Sequence, residues 1–400
     1  MSKLNELIHK LCPDGVEYKK IKDVFQRLRG TPITAGKMKE IESSDGDIRV
    51  FAGGKTVINA KEEDIPNANI ISVPAVLVQS RGVIDVVYYE KPFTFKNEMW
   101  AYTSDNKIAV KFLYYVLKNN IQKFRDAAAG MGSLPQISLP VTEEFKVPVP
   151  PLPVQSEIVR ILDNFTELTA ELTAELTARQ SQYEYYASNM FPSVKNSDVG
   201  WIELGKVATV TKLAGFEFTK YVTYSDAGDI IALRGLNVKN GHLVLDDVKY
   251  IDNSNLEMLS RSKLRIGDML FTYVGTVGQV ALIQENDKYY LAPNVALVRI
   301  TDERFLPEYM MHYFLTDKFK QEQIAKLLQV SSMQNIPMEK IRKFKLPLIS
   351  IEEQRKTIDI LNRFDTLCND ISAGLPAEIE ARQKQYEYYR DKLLSFKEKE

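Results

Sequence analysis

The residue types able to do covalent chemistry are present in this 400-residue chain, but their spacing does not bring them together. Gly54-Lys55-Thr56 has the ending of a phosphate-binding loop, yet that motif needs its first glycine where Arg49 stands. Gly36-Lys37-Met38 puts a thioether where a hydroxyl must meet Mg²⁺. Both read as turns. ENDK at 285–288 supplies the carboxylates and lysine of a nuclease site, but beside the strand-like QVALIQ it reads as a solvated turn. Cys12 and Cys368 are the only cysteines, and His9, His242 and His312 the only histidines. They are too few and too dispersed for a disulfide framework or the four ligands of a structural zinc. No dinucleotide fingerprint follows a strand, and no Asn-Pro-Pro-aromatic run of an amino-methyltransferase occurs. Nucleophile, base and charge stabiliser never converge, so the chain reads as non-catalytic, with no metal or cofactor of its own.

Recognition chemistry is better represented. Arg27, Arg29, Lys37, Lys39, Lys55, Arg81 and Lys96 in the first half, and Lys212, Arg234, Lys239 and Lys288 in the second, fall in or beside loop-like segments. Gln79, Asn97, Asn237, Gln279 and Asn294 accompany them. Cations bind phosphates, while arginine and carboxamides can read base edges, so these residues are the candidate nucleic-acid contacts. The YEYY segments at 183–186 and 386–389 could stack on bases. Their helical context favours packing instead, against a mate helix or a partner protein.

Two helical stretches must position these groups. Val154, Ile158, Ile161, Phe165, Leu168 and Leu172 alternate in steps of four and three, the seam of a helix that packs on another helix. The next apolar position, Leu176, comes four residues on, because TAEL at 169–172 is repeated at 173–176. That is a four-residue stutter. A helix over 154–190 is a rod of about 55 Å, a spacer rather than a core element. The stretch is echoed at 351–396, where Leu361 and Phe364 continue the seam. RQSQYEYY at 179–186 matches RQKQYEYY at 382–389, ILDNF at 161–165 matches ILNRF at 360–364, and FKVPVPPLPVQ at 145–155 lines up with FKLPLISIEEQ at 344–354. The chain is therefore an internal repeat.

Between the rods lie two globular parts of similar plan. The first predicts strands at 47–53, 69–73, 75–79, 83–89 and 98–103, and a helix over 108–129 that stops at Gly130. The second predicts strands at 229–234, 243–250, 268–274, 279–284 and 294–300, and a helix over 306–328. A short amphipathic helix with Leu4, Leu7, Ile8 and Leu11 on one face ends at Pro13. Leu11-Cys12-Pro13 precedes Tyr18 much as Met190-Phe191-Pro192 precedes Trp201, so this helix reads as a displaced copy of the rod's last turns.

The net charge of −1 divides unevenly: +3 over residues 1–153, −4 over 154–190, +2 over 191–350 and −2 over 351–400. A polyanionic partner should therefore meet the globular parts. No apolar run approaches the length of a membrane span, and the N-terminus lacks the apolar core of a signal peptide. With two isolated cysteines, a cytoplasmic location is expected.

Two variable globular parts, duplicated rods with TAEL repeats, prolines before each rod, and IGDMLFTYVGTVG followed by LAPNVALV together resemble the specificity subunit of type I restriction–modification systems. AVLVQSRGVID in the first part stands where DMLFTYVGTVG does in the second, and departs from its pattern. The resemblance covers essentially the whole chain. It implies an α+β protein: two mixed α/β target-recognition domains, 14–153 and 193–350, separated by two long antiparallel helices with an internal pseudo-two-fold repeat. The helices are 154–192 and 351–400, with 1–13 joining the rod end. It further implies a bipartite, asymmetric double-stranded DNA target, two methylation subunits, and restriction subunits. S-adenosylmethionine, ATP and Mg would be used by those other subunits. The competing readings are a coiled-coil adaptor that binds only proteins, and a degenerate nuclease or methyltransferase. If the rod separates two half-sites, the TAEL count should set the number of unread base pairs between them.

Overall fold

A computed structural model describes residues 3–54, 56–128, 134–196, 198–328, 334–369 and 374–399. The chain parts into two units, Met1–Leu172 with Ile379–Glu400, and Thr173–Glu378. The first division falls between the two TAEL copies. The helix Leu152–Met190 therefore contributes one half to each unit.

In the first unit, Gln26–Leu28, Trp100–Thr103, Ala75–Gln79 and Asp85–Tyr89 form an antiparallel sheet in that order. All five residues of Ala75–Gln79 are buried, so this strand shows no polar alternation. Alternation selects its two faces instead. Val76 and Val78 join Val86, Tyr102 and the helix Lys107–Asn119 in one cluster. Ala75 and Leu77 join Phe51, Phe93, Phe95 and Ala101 in another. The second cluster comes from a smaller sheet, Val57–Ala60, Ile48–Phe51 and Phe93–Phe95, whose last pair is parallel. Tyr18–Lys20 pairs with Lys146–Pro148 at the base.

The second unit repeats the order of these sheets and adds a short hairpin, Val238–Lys239 with His242–Leu243. Its larger sheet is Ala208–Lys212, Val295–Ile300, Met269–Thr272 and Val280–Leu282. Its smaller sheet is Lys249–Tyr250, Ile231–Leu233 and Tyr289–Leu291, again with a parallel last pair. Trp201–Glu203 pairs with Lys345–Pro347. Met269, Phe271 and Val280 pack with the helix Pro307–Leu315, while Leu270 and Ala281 pack with the smaller sheet.

Helices and globular elements share cores within each unit. In the first, Val154, Ile158, Val159 and Leu162 are buried with Phe112 and Leu113. Tyr115 donates to Asp163 at 2.5 Å, and Lys111 pairs with the same carboxylate at 2.8 Å. In the second, Ile358 and Leu361 are buried with Tyr309 and Phe314. There His312 meets Asn362 at 2.8 Å, the residue aligned with Asp163 in the repeat. Along the seam Phe165 packs on Tyr386 and Tyr389, and Tyr183 and Tyr186 pack on Phe364. Later residues of the long helix thus meet earlier residues of the C-terminal ones, the order of an antiparallel pair. Ile161, Leu168, Leu172 and Leu176 on the same seam are half-buried.

Several expectations need correction. The helix over 108–129 is two helices, Lys107–Asn119 and Ile121–Ala127, because Asn120 leaves the helical conformation and its amide bonds back to Val116. Gly130 lies outside the described residues. The helix over 306–328 breaks at Thr316, whose hydroxyl caps the next turn at Phe319. The segment 69–73 forms only a bridge at Ile71. Of 243–250, only the ends pair as strands. The C-terminal rod is two helices, Ile351–Asn369 and Leu375–Leu393.

The N-terminal helix Lys3–Leu11 buries Leu4 in the cluster that contains Leu394, with Leu7, Ile8, Leu393 and Phe396 packed against it. Val16 exchanges backbone bonds of 2.9 Å with Lys397 and Lys399. Truncating a buried leucine costs about 2–5 kcal/mol. Leu4→Ala is therefore expected to lower the thermal unfolding midpoint clearly, whereas Leu11→Ala, at an exposed position, should leave it within error; equal effects would contradict this packing.

Candidate nucleic-acid interface

In both units the same strand ends converge. In the second, they are the C-termini of Ile231–Leu233 and Met269–Thr272 and the start of Val295–Ile300. They surround a cleft of about 460 Å³ that includes Arg234, Gly235, Val274, Gly275, Thr276 and Asn294. The hairpin tip is fixed by backbone bonds: Gly275 donates to Gln334 at 3.0 Å and Ile336 to Tyr273 at 2.9 Å. Thr272 closes the turn from within, its hydroxyl donating to the Thr276 carbonyl at 2.5 Å and accepting from the Gln279 amide at 2.9 Å. Gly275 sits at φ +81°, a backbone region in which a side chain is strained.

The first unit builds the same tip from different residues. Strand register aligns Ser80 with Tyr273, Arg81 with Val274 and Gly82 with Gly275. Gly82 has φ +79° and donates to Pro135 at 2.8 Å, and Ile137 donates to Ser80 at 2.9 Å. The departure seen in AVLVQSRGVID is therefore one of side chains, while the hairpin is kept. By the same register Glu98 occupies the place of Asn294. Its carboxylate accepts from the Gly53 amide at 3.0 Å and pairs with Lys96 at 3.1 Å. Burial opposes ionisation, but the Gly53 amide, Lys96 and the nearby Arg81 together hold the Glu98 carboxyl below its ordinary range.

The predicted contacts sort themselves on this frame. Arg81, Lys96 and Asn97 lie at the tip end of the first unit, with Gln79 beneath them, buried at 6% exposure. Arg29 is exposed, one residue past Gln26–Leu28 and aligned with Lys212. Lys37 pairs with Glu40 at 3.2 Å, and Lys39 is exposed on the same short helix, Ala35–Ile41. Arg27 is drawn toward the other end by Glu143 at 3.3 Å. Lys55 lies outside the described residues.

In the second unit Arg234 and Asn294 line the cleft, and Lys212 sits over the Tyr273 ring at 5.7 Å. Gln279 accepts from the Asn240 amide at 2.9 Å, and Lys239 is exposed nearby on the short strand Val238–Lys239. Two candidates fail. Asn237 has no exposed surface: its oxygen accepts from the Arg234 amide at 3.0 Å and its nitrogen donates to Val244 and Asp247 at 2.8 Å. It holds a loop and cannot reach a base. Lys288 precedes Tyr289–Leu291, so it stands at the opposite end of that strand from the cleft, paired with Glu285 at 2.9 Å in the turn that ENDK suggests.

The sequence reading missed Glu98, and also Gln136 and Asn335, which bridge Arg81 and Val274 at equivalent places beside the two tips. A signal existed for the last two: Ile137 and Ile336 each stand eight residues before the repeated Phe-Lys at 145 and 344. Among the described residues, no group of three or more His, Cys, Asp or Glu side chains could hold a metal ion. Among the same residues, no helix is long and apolar enough to cross a membrane. What the tips offer is hydrogen bonding and charge: guanidinium, ammonium, carboxamide and carboxylate groups on backbone-fixed loops. Such groups bind and discriminate nucleic acid.

Comparison with known proteins agrees with that chemistry. The family described as "Type I restriction modification DNA specificity domain" matches residues 13–179 and again 196–381. The chain is 33% identical over 311 residues to the EcoR124I/EcoR124II specificity subunit of Escherichia coli, covering 73% of this chain and 72% of that one. Its fold is similar to a type I restriction–modification S subunit from M. genitalium, at TM-score 0.58 and 15% identity over 95% and 96% of the two chains. A chain solved in a study of complex assembly and conformational transition of the type I system is similar at TM-score 0.59 and 12% identity, over 96% and 98%. The class defined by fold and site is a duplicated DNA-specificity protein. The chain belongs to the type I restriction–modification DNA specificity family.

Because the Glu98 carboxyl is depressed in the folded state, its contribution is present above the ordinary carboxylate range, near pH 4.3, and is lost as pH falls through the folded value. Hydrogen exchange at the Gly53 amide should accordingly be protected at pH 7 and lose protection at acid pH. Glu98→Ala should remove the protection at every pH. An amide rate indifferent to Glu98 would show that the carboxylate does not hold this loop.

Proposed function

We propose that this chain is the non-catalytic, sequence-specific DNA-binding subunit of a type I restriction–modification complex. Its target-recognition domains, 14–153 and 193–350, each read one half of a bipartite, asymmetric target. The observation that carries this reading is the repetition of one frame around dissimilar tips: Ser80-Arg81-Gly82 and Glu98 in one unit, Tyr273-Val274-Gly275 and Asn294 in the other. A shared frame places each tip alike, and different side chains select different bases. The residues retained as DNA contacts are Arg29, Arg81, Lys96, Asn97, Lys212, Arg234, Lys239, Gln279 and Asn294, with Lys37, Lys39 and Lys55 as further phosphate contacts.

The helices carry the partners in this reading. Tyr185 is 66% and Tyr388 62% exposed, at equivalent places in the two YEYY segments, beside Tyr186 and Tyr389. Duplicated exposed aromatics suit two copies of one protein, the methylation subunits, with restriction subunits joining the assembly. S-adenosylmethionine, ATP and Mg act through those subunits, in the cytoplasm.

Two experiments test this. Exchange of residues 200–345 for the matching region of a relative of known target should change one half of the methylated motif and spare the other. A chimera that still methylates but alters both halves would refute independent reading. The second concerns spacing. One further TAEL after Leu176 lengthens a helix by about 6 Å and turns it by about 400°, about 40° beyond a full turn. One base pair adds roughly 34–36° and about 3.4 Å. Methylated sites should then keep both half-sites with the spacer longer by one base pair; an unchanged spacer would show that TAEL is not the ruler.

A further inference from the structure

The first unit fixes the backbone around one cation at its tip while leaving the side chain free, and the manner of fixing indicates what it reads. Arg81 is exposed and its side chain makes no hydrogen bond or ion pair among the described residues, yet the backbone on both sides of it is held. Its carbonyl accepts from Gly54 at 3.1 Å, the carbonyl before it from Ile137 at 2.9 Å, and the amide after it donates to Pro135 at 2.8 Å. The Ser80 hydroxyl donates to the Glu98 carbonyl, tying the tip to the loop that carries the Lys96–Glu98 pair. A cation serving only to neutralise phosphate gains little from such anchoring. Base readout requires it, because a bidentate contact tolerates little misplacement.

The comparison between units separates the two roles. If this position anchored phosphate, a frame shared by both units would need a cation at both tips; the second unit has Val274. The aligned pair Arg29 and Lys212 is cationic in both, as expected of phosphate contacts. Position 81/274 thus varies in chemistry on a constant backbone, which is the behaviour of a specificity determinant.

We infer that Arg81 is the specificity-determining residue of the first unit, reading a guanine through its O6 and N7 in the major groove, and that Glu98 is its positioning residue. The inference rests on the DNA-reading function proposed above. Guanine is the base whose major-groove edge presents two acceptors to a guanidinium fork. Glu98 acts through Arg81: the Ser80 hydroxyl ties the Glu98 backbone to the residue before Arg81, and the carboxylate, held between the Gly53 amide and Lys96, leaves the guanidinium fork free.

The test uses the full chain assembled with its methylation subunits. Initial methylation rates are measured on duplexes carrying the mapped target and every single-base change in the half-site assigned to residues 14–153. Wild type should discriminate for guanine at one position. Arg81→Lys keeps the charge but loses the fork, so discrimination there should fall on the order of 5- to 150-fold, while the other positions and the salt dependence of binding stay as in wild type. Glu98→Gln keeps an acceptor for Gly53 but removes the charge; it should lose part of the same discrimination, beside the modest loss of stability that neutralising a depressed carboxylate brings. A half-site without guanine, an Arg81→Lys complex that retains full guanine preference, or an Arg81→Ala complex weakened equally on all sequences would each overturn the assignment. A Glu98→Gln protein that loses stability but not discrimination would overturn the positioning role. A wild-type complex without any sequence preference would instead remove the DNA-reading function, and Arg81's role with it.

Discussion

Each unit depends on one strand being buried on both faces. Ala75–Gln79 and Met269–Thr272 are fully buried, pressed between a helix on one side and a three-stranded sheet on the other. A strand so placed cannot slip by one residue, because the shift would send Val76 and Val78, or Met269 and Phe271, into the wrong core. Register fixes the hairpin that follows, and the hairpin fixes the tip. Variation is then confined to side chains beyond the strand ends, where residues such as exposed Arg81 and half-buried Val274 can differ on the same backbone. This is how one frame can present two chemistries.

The same logic joins the globular elements to the helices. Within each unit a helix from the globular part meets the rod through apolar burial and one polar contact at an equivalent rod position, Tyr115 with Asp163 or His312 with Asn362. The prolines that precede each rod bring Gln155 and Gln354 to equivalent, buried places. Gln354 accepts from the Leu306 amide at 2.9 Å and donates to the Arg304 carbonyl at 2.7 Å, stitching rod to domain. Gln155 keeps only the bond back along the chain, to Pro150 at 2.7 Å, which Gln354 also makes to Ile349 at 3.1 Å, while Asn106 caps the corresponding helix of the first unit. The repeat thus holds at the level of backbone placement while its polar details diverge.

Much of this was legible in the sequence because it is written in apolar spacing. AVLVQ at 75–79 coincides with its strand, and the seam from Val154 to Leu176 lies within one helix. What escaped was set by pairing rather than composition. Tyr18–Lys20 and Trp201–Glu203 are three-residue strands defined only by partners 126–146 residues away. The strand expected over 243–250 gave way because the Asn237 and Arg234 side chains take the carbonyls of Val244 and Asp247, replacing a ladder with a loop. Glu98 escaped because a carboxylate is not sought among DNA contacts, and Asn237 was counted because an exposed and a buried carboxamide look alike in sequence.

The central claim is that the two tips face separate halves of one DNA target. Photocrosslinking from single sites in the assembled complex tests it most directly, with a photoreactive residue placed at Asn97, at Thr276, or at Lys288 as a remote control. The account predicts crosslinks from position 97 to bases of one half-site, from 276 to bases of the other, and none from 288. Crosslinks from both tips to the same half-site, or from 288 as readily as from either tip, would contradict it.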